Sequence, residues 1–176
     1  VYYKGVPTRT ISTVYLVSGT LNIDAALKGR YTFDNSGALG TDTSPLGANN
    51  GAPGTGVSAT TDGTRGAVVS MTGVNGGGIQ IAGKVGSPSN VTLAAWVNLT
   101  AADTGGAEIL SIGDSVVLRA DNGGGTGVTG TMYNGATWVP ITSGTYIAGT
   151  GWHHVAYVFD DTGNVNTLYI DGTAVN

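Results

Sequence analysis

Eleven carboxylates, two histidines and no cysteine are the chain's whole supply of acid–base and metal-ligating side chains. Glycoside hydrolysis needs two carboxyl groups a fixed distance apart, one to protonate and one to attack or activate water. Side chains on a strand alternate between faces, so partner acids sit two residues apart. Glu108 is the chain's one glutamate, and the residues at that spacing are Gly106 and Leu110. The pattern predicts no glycosidase and, more broadly, no enzyme, because general acid and base each need a partner. His153 and His154 are adjacent, so on a strand they point to opposite faces and cannot chelate one metal together. They are expected to be structural, one packed inside against Trp96 and the other facing outward. Tyr133 and Trp138 flank Asn134-Gly135, and Tyr146 follows. Exposed aromatic rings there would stack on sugar rings. The alternative is that Tyr133 and Trp138 simply pack on each other as cross-strand neighbours. Asn90-Val91-Thr92 and Asn98-Leu99-Thr100 match the N-glycosylation pattern, but both fall in a predicted strand, and such matches arise readily in an Asn/Thr-rich chain.

The elements that must position these residues are strands. Strand-like runs span Thr10–Val17, Lys28–Phe33, Ala67–Thr72, Gly78–Ala82, Val91–Leu99, Glu108–Ile112, Ser115–Ala120, Val128–Tyr133, Thr137–Thr142, His153–Asp160 and Asn166–Ile170. Several alternate apolar with small polar residues, the period-2 pattern of a half-buried strand. Asp121-Asn122-Gly123, Asn134-Gly135, Asp161-Thr162-Gly163 and Asp171-Gly172 supply turn chemistry between them. Asp34–Gly66 is rich in Gly, Pro and Asn and reads as a long surface loop with one short strand at most. Many short strands with close turns predict an all-β, two-sheet antiparallel sandwich.

Composition narrows the setting. Charged residues are 10% of the 176, against about 25% in an average domain, and Gly accounts for 31. The net charge is −4 with 7 Lys and Arg, so no basic stripe exists to neutralise phosphates, which argues against nucleic acid. No apolar run approaches the roughly 20 residues of a spanning helix. The chain begins at Val1, which fits a processed mature chain or an excised fragment. The lack of cysteine fits a cytosolic protein or a bacterial or archaeal surface protein, and the low charge favours the latter.

From Leu27 onward the order of motifs resembles bacterial laminin G-like (concanavalin A-like) jelly rolls. Leu27–Asp34 is similar to the family's opening strand, Gly66–Gly73 to its "ALSFDG" strand and Val91–Val97 to "FTISAWVK". Ile109–Gly113 matches "ILSKG", Gly151–Asp160 is close to "GTWHHVAVTYD", and Leu168–Gly172 matches "LYVDG". The resemblance implies a jelly-roll sandwich over residues 27–176. It also implies a calcium site at a loop rim, for which Asp34, Asn35, Asp42, Asp160 and Asp161 are the candidates; the family's "SFDGVDDYV" acids are replaced in Ser70–Gly78. No other cofactor is implied. Family members that are glycosidases carry an "ExDxxE" strand, which this chain lacks.

The family continues past "LYVDG" with a "YIG" strand and a closing strand. Here residues 1–26 resemble those missing pieces: Val1-Tyr2-Tyr3-Lys4-Gly5 the former, Thr8–Leu21 the latter. The expectation is a permuted jelly roll whose closing strands come first; a fragment of a repetitive protein is the alternative. A sandwich lacking two strands has an open edge that must be covered. Ile11, Val14 and Leu16 would cover it in the same chain or in a neighbouring subunit, and the second arrangement builds an open filament. Two functions follow as expectations. The first is a non-catalytic structural subunit of an extracellular appendage, sheath or fibre, partnered by copies of itself. The second is a carbohydrate- or cell-surface-binding module of a larger adhesin.

Overall fold

The computed structural model describes residues 27–74, 77–82, 88–101, 108–113, 115–122, 127–163 and 165–175. Contacts divide the chain into two compact units, Val1–Gly86 and Ser87–Asn176. The N-terminal strand pattern read in residues 1–26, with Ile11, Val14 and Leu16, is separate from this division and lies outside the described residues.

The first unit is built from short pairs. β1 (Ala52–Pro53), β2 (Val57–Asp62), β3 (Gly66–Met71) and β4 (Ile79–Gln80) form two antiparallel pairs, β1 with β4 and β2 with β3. Asp34–Gly66, read as a loop with one short strand, holds two, β1 and β2, and β2 pairs with β3 as a hairpin. Its turn is set by Asp62, whose Oδ1 accepts the N–H groups of Thr64 and Arg65, both at 2.8 Å. Gly66 closes it with φ +76°, where a side chain would be strained.

Lys28–Phe33, expected as a strand, is not one. Its polar groups bond to the 42–49 loop instead of a ladder. Arg30 N–H donates to Asp42 Oδ1 (3.0 Å), and Arg30 O accepts from Thr43 N (2.7 Å) and Thr43 Oγ1 (2.9 Å). Tyr31 hydroxyl donates to Asn49 O (2.6 Å), and Asn49 Nδ2 donates to Lys28 O. Phe33 sits at φ +60°, a left-handed turn that no strand continues through.

The second unit is an antiparallel sandwich. Its strands are β5 (Asn90–Asn98), β6 (Glu108–Ile112), β7 (Val116–Asn122), β8 (Gly127–Tyr133), β9 (Trp138–Thr142), β10 (Trp152–Asp160), β11 (Val165–Ile170) and β12 (Thr173–Val175). They form two four-stranded sheets, β12-β11-β10-β5 and β6-β7-β8-β9. Buried Val91 and Leu93 alternate with exposed Asn90 and Thr92 along the start of β5. β5 and β10 run opposed over nine residues each, so that Leu93 faces Tyr157 and Ala95 faces Val155. Asp171 and Gly172, both at positive φ (50° and 81°), close the two-residue β11–β12 hairpin, as Asp-Gly turns do.

Between the sheets lie Val91, Leu93, Val155, Tyr157 and Leu168 from one and Val116, Leu118 and Val128 from the other, with Ile147 plugging in from the loop after β9. Full burial of each such side chain stabilises by about 1.5–3 kcal/mol. The Tyr157 ring lies directly on Gly130, where a Cβ would meet Cδ2 at 2.1 Å. The sheets approach this closely because residue 130 has no side chain. Burial raises the Tyr157 phenol pKa, partly offset by the neighbouring Asn166 side chain.

Candidate functional site

The outer face of the β6–β9 sheet gathers the aromatic and polar groups in ordered rows. Directly paired residues share a face, and Leu118 and Val128 mark the inner one. The pairs Tyr133–Trp138, Thr131–Pro140 and Thr129–Thr142 across β8 and β9 therefore point outward. Val117, opposite Thr131, and Arg119, opposite Thr129, belong to the same face, but Val117 and Thr131 are buried (1% and 5% exposed), so the middle of the face is covered and its open parts are the Tyr133–Trp138 end and the β9 row. Tyr133 and Trp138 stand at one end with ring centroids 5.5 Å apart and planes tilted by 56°. They pack on each other, and each still leaves about two-fifths of its surface open (43% and 41%). Asn134 Oδ1 fixes the turn between them by accepting the N–H groups of Ala136 (3.0 Å) and Thr137 (2.9 Å). Gly135 takes φ +93° in that turn.

Tyr146, expected beside this pair, is elsewhere. The chain after β9 continues along β8, with Val128 N–H on Thr145 O. That places Tyr146 near the opposite end of β8 from Tyr133, about 17 Å away at the usual strand rise. Antiparallel pairing past Thr142 separates residues that look close in sequence.

Glu108 lies on the same outer face, opposite Arg119, whose guanidinium is 3.6 Å from its carboxylate. A bulge between Glu108 and Leu110 shifts the register. Leu110 therefore turns to the inner face opposite Leu118, and the two-residue spacing read from the sequence does not put Leu110 on the Glu108 face.

The calcium candidates fall into both units. Asp42 is 4% exposed, and its carboxylate accepts three backbone N–H groups: Arg30 and Ser44 on Oδ1 (3.0 and 2.9 Å) and Asn49 on Oδ2 (3.1 Å). Burial by itself would raise its pKa. The backbone donors of Ser44, Arg30 and Asn49 together with the Ser44 hydroxyl outweigh that and hold it below the usual value. The same anion and the burial of Tyr31 raise the Tyr31 phenol, burial being the larger cause. Asn35 Oδ1 accepts Gly37 N–H at 3.0 Å, and Asp34 is exposed. In the second unit Asp160 Oδ1 accepts Gly163 N–H (2.9 Å), and the Asn90 amide nitrogen, turned toward β10, donates to it at 2.8 Å. Asp161 donates its backbone N–H to Ser89 O. Among the described residues no three His, Cys, Asp or Glu side chains gather as a metal site.

The histidines diverge as adjacent strand residues must. His154 pairs with Trp96, ring centroids 5.3 Å apart and edge-on at 64°. This pair was expected inside. It lies on the sheet face away from the Val155–Tyr157 core, with His154 9% and Trp96 41% exposed. His153 sits on the core side at the end of β10. Its Nδ1 is 2.7 Å from Asp171 Oδ2 and its Nε2 is 2.8 Å from Thr150 Oγ1. Burial would raise the Asp171 pKa, but His154 N–H and the His153 ring hold it below the ordinary value. The sequence reading missed this contact; an Asp at the "LYVDG" turn and a His at the start of the paired strand were its signal.

Searches of curated proteins and of solved structures return no match. The family model described as the concanavalin A-like lectin/glucanases superfamily matches residues 72–176, more than half of the chain. Domains of its laminin G-like branch are usually extracellular and typically bind without catalysis, while the wider superfamily includes glycosidases. With its antiparallel sandwich and its matching motifs, the chain belongs to the concanavalin A-like lectin/glucanase superfamily as a laminin G-like domain.

Proposed function

We propose that the chain is a non-catalytic, extracellular binding module for carbohydrate on cell surfaces, and that it takes its ligand on the outer face of the β6–β9 sheet. The observation that carries this reading is the Tyr133–Trp138 pair, packed and yet open to solvent. A sugar ring offers a C–H face to such an aromatic surface and hydroxyls to its surroundings. Along the same exposed β9 row Thr142 offers a hydroxyl to them, two positions beyond Pro140. The single Glu, held against Arg119, has no second carboxylate opposite it in the sheet, which supports binding over hydrolysis.

A glycan array probed with the intact chain, in calcium and in EDTA, tests the reading. Specific binding in both, lost in Trp138→Ala, is the expected result; a blank array in both contradicts it.

A second reading, assembly through β-strand contacts, has its own support. Among the described residues β5 has a strand on one side only, and Thr10–Val17 has strand-like alternation around Ile11, Val14 and Leu16. Negative-stain microscopy of the purified chain separates the two: fibres favour assembly, and a persistent monomer removes it.

A further inference from the structure

His153 is the hub of a hydrogen-bonded network separate from the aromatic face, and its neighbours dictate where the protons must be. The Thr150 hydroxyl donates to Ile147 O at 2.5 Å. A hydroxyl has one proton, so toward His153 Nε2 it accepts. Asp171 accepts His154 N–H on Oδ1 (2.9 Å), and as a carboxylate it has no proton to give to His153 Nδ1 through Oδ2. Both ring nitrogens therefore donate, which only the imidazolium does. Across β5 the residue paired with His153 is Val97, which is uncharged. The loop before β10 presents Thr150 and Ile147, also uncharged. The β11–β12 turn presents Asp171, and His154 points to the other sheet face.

We propose that His153 is a proton-operated latch joining the β11–β12 turn to the turn Ile147–Thr150. As an imidazolium it bridges Asp171 and Thr150. As a neutral ring it has one N–H, and one of the network's three bonds must break. With the proton gone from Nε2, the Thr150 hydroxyl can donate to the ring only by leaving Ile147 O. With it gone from Nδ1, two acceptors face each other at 2.7 Å. The latch is thus shut in acid and loosened as pH rises through the His153 titration. The turn it holds follows directly on Tyr146, 42% exposed, and includes Ile147, which plugs the core. Proton loss therefore changes how Tyr146 is presented without dismantling the sandwich.

NMR on the intact chain over a pH series tests this. The Thr150 amide donates to Ile147 O at 3.3 Å and reports on the turn. Both His153 ring nitrogens should be protonated at the acid end. Exchange of the Thr150 amide, corrected for its intrinsic pH dependence, should rise about tenfold across the His153 titration and not across that of His154. Thr150→Val removes the hydroxyl at nearly constant shape and should leave exchange fast at every pH while His153 still titrates. A Thr150 amide whose corrected exchange shows no step at the His153 titration in the unmodified chain overturns the latch, whatever the variant does. So does a His153 ring that never carries protons on both nitrogens while the Asp171 and Thr150 contacts persist.

Discussion

The two units of this chain solve the same problem by different means. The second fills the space between two sheets with aliphatic side chains and one tyrosine, with Leu118, Val128, Val155, Tyr157 and Leu168 all fully buried. The first has two two-stranded pairs, and β2 and β3 are mostly exposed on both faces. Order in its 28–50 segment centres on one buried carboxylate that gathers backbone donors from 30, 44 and 49. Apolar burial is indifferent to pH, whereas a carboxylate clamp works only when ionised. One chain thus carries an apolar core that tolerates pH change and a loop that depends on an ionised carboxylate, and substitutions in each should reveal which force is at work.

The largest effect should come from Leu118→Ala. Removing a fully buried side chain from between the sheets should cost the second unit about 3–5 kcal/mol in denaturant unfolding. Gly130→Ala should come next, at about 2–3 kcal/mol, since the new methyl would meet the Tyr157 ring and the sheets must part. If it proves neutral, the close approach of ring and glycine is not a constraint. Asp42→Asn should cost about 2 kcal/mol, seen as faster amide exchange at Arg30, Ser44 and Asn49 with the sandwich amides unchanged, because an amide nitrogen would replace one acceptor oxygen among the donors.

Acid should reproduce that substitution. The folded pKa of Asp42 is lowered, so its stabilisation is fully present above the unfolded value of about 4 and is lost as pH falls through the folded one. Asp171 carries the same sign. Exchange at Arg30, Ser44 and Asn49 should therefore rise below about pH 4 before the Leu118 amide responds. The smallest effect on stability, within about 0.5 kcal/mol by thermal unfolding, belongs to Trp138→Ala on the open face, although ligand binding should vanish.

Much of the second unit was legible because its residues obey local rules. The alternation that opens β5, the apolar run of β10 and Asp-Gly at the β11–β12 turn each point to the structure they adopt. The first unit was harder because its order is not periodic. Lys28–Phe33 alternates like a strand, but its hydrogen bonds go to Asp42, Thr43 and Asn49, side-chain partners that no periodicity announces. The Val57–Asp62 strand was hidden among Gly and Pro, and its Thr-rich faces bury little to mark one side. At the site, the Tyr133–Trp138 pair could be read from the turn it brackets. The grouping of Tyr146 with it could not survive the continued pairing beyond β9, and the bulge that turns Glu108 away from Leu110 leaves no mark in residue types.

On the proposed reading, the ligand seats on Tyr133 and Trp138. The chain's three tryptophans make it testable in one titration, since Trp96 lies on the outer face of the other sheet and Trp152 begins β10. A glycan identified on the array, added to the ¹⁵N-labelled chain, should shift the Trp138 indole signal and leave those of Trp96 and Trp152 in place. Movement at Trp96 with Trp138 unmoved, or saturable binding with all three unmoved, would contradict it.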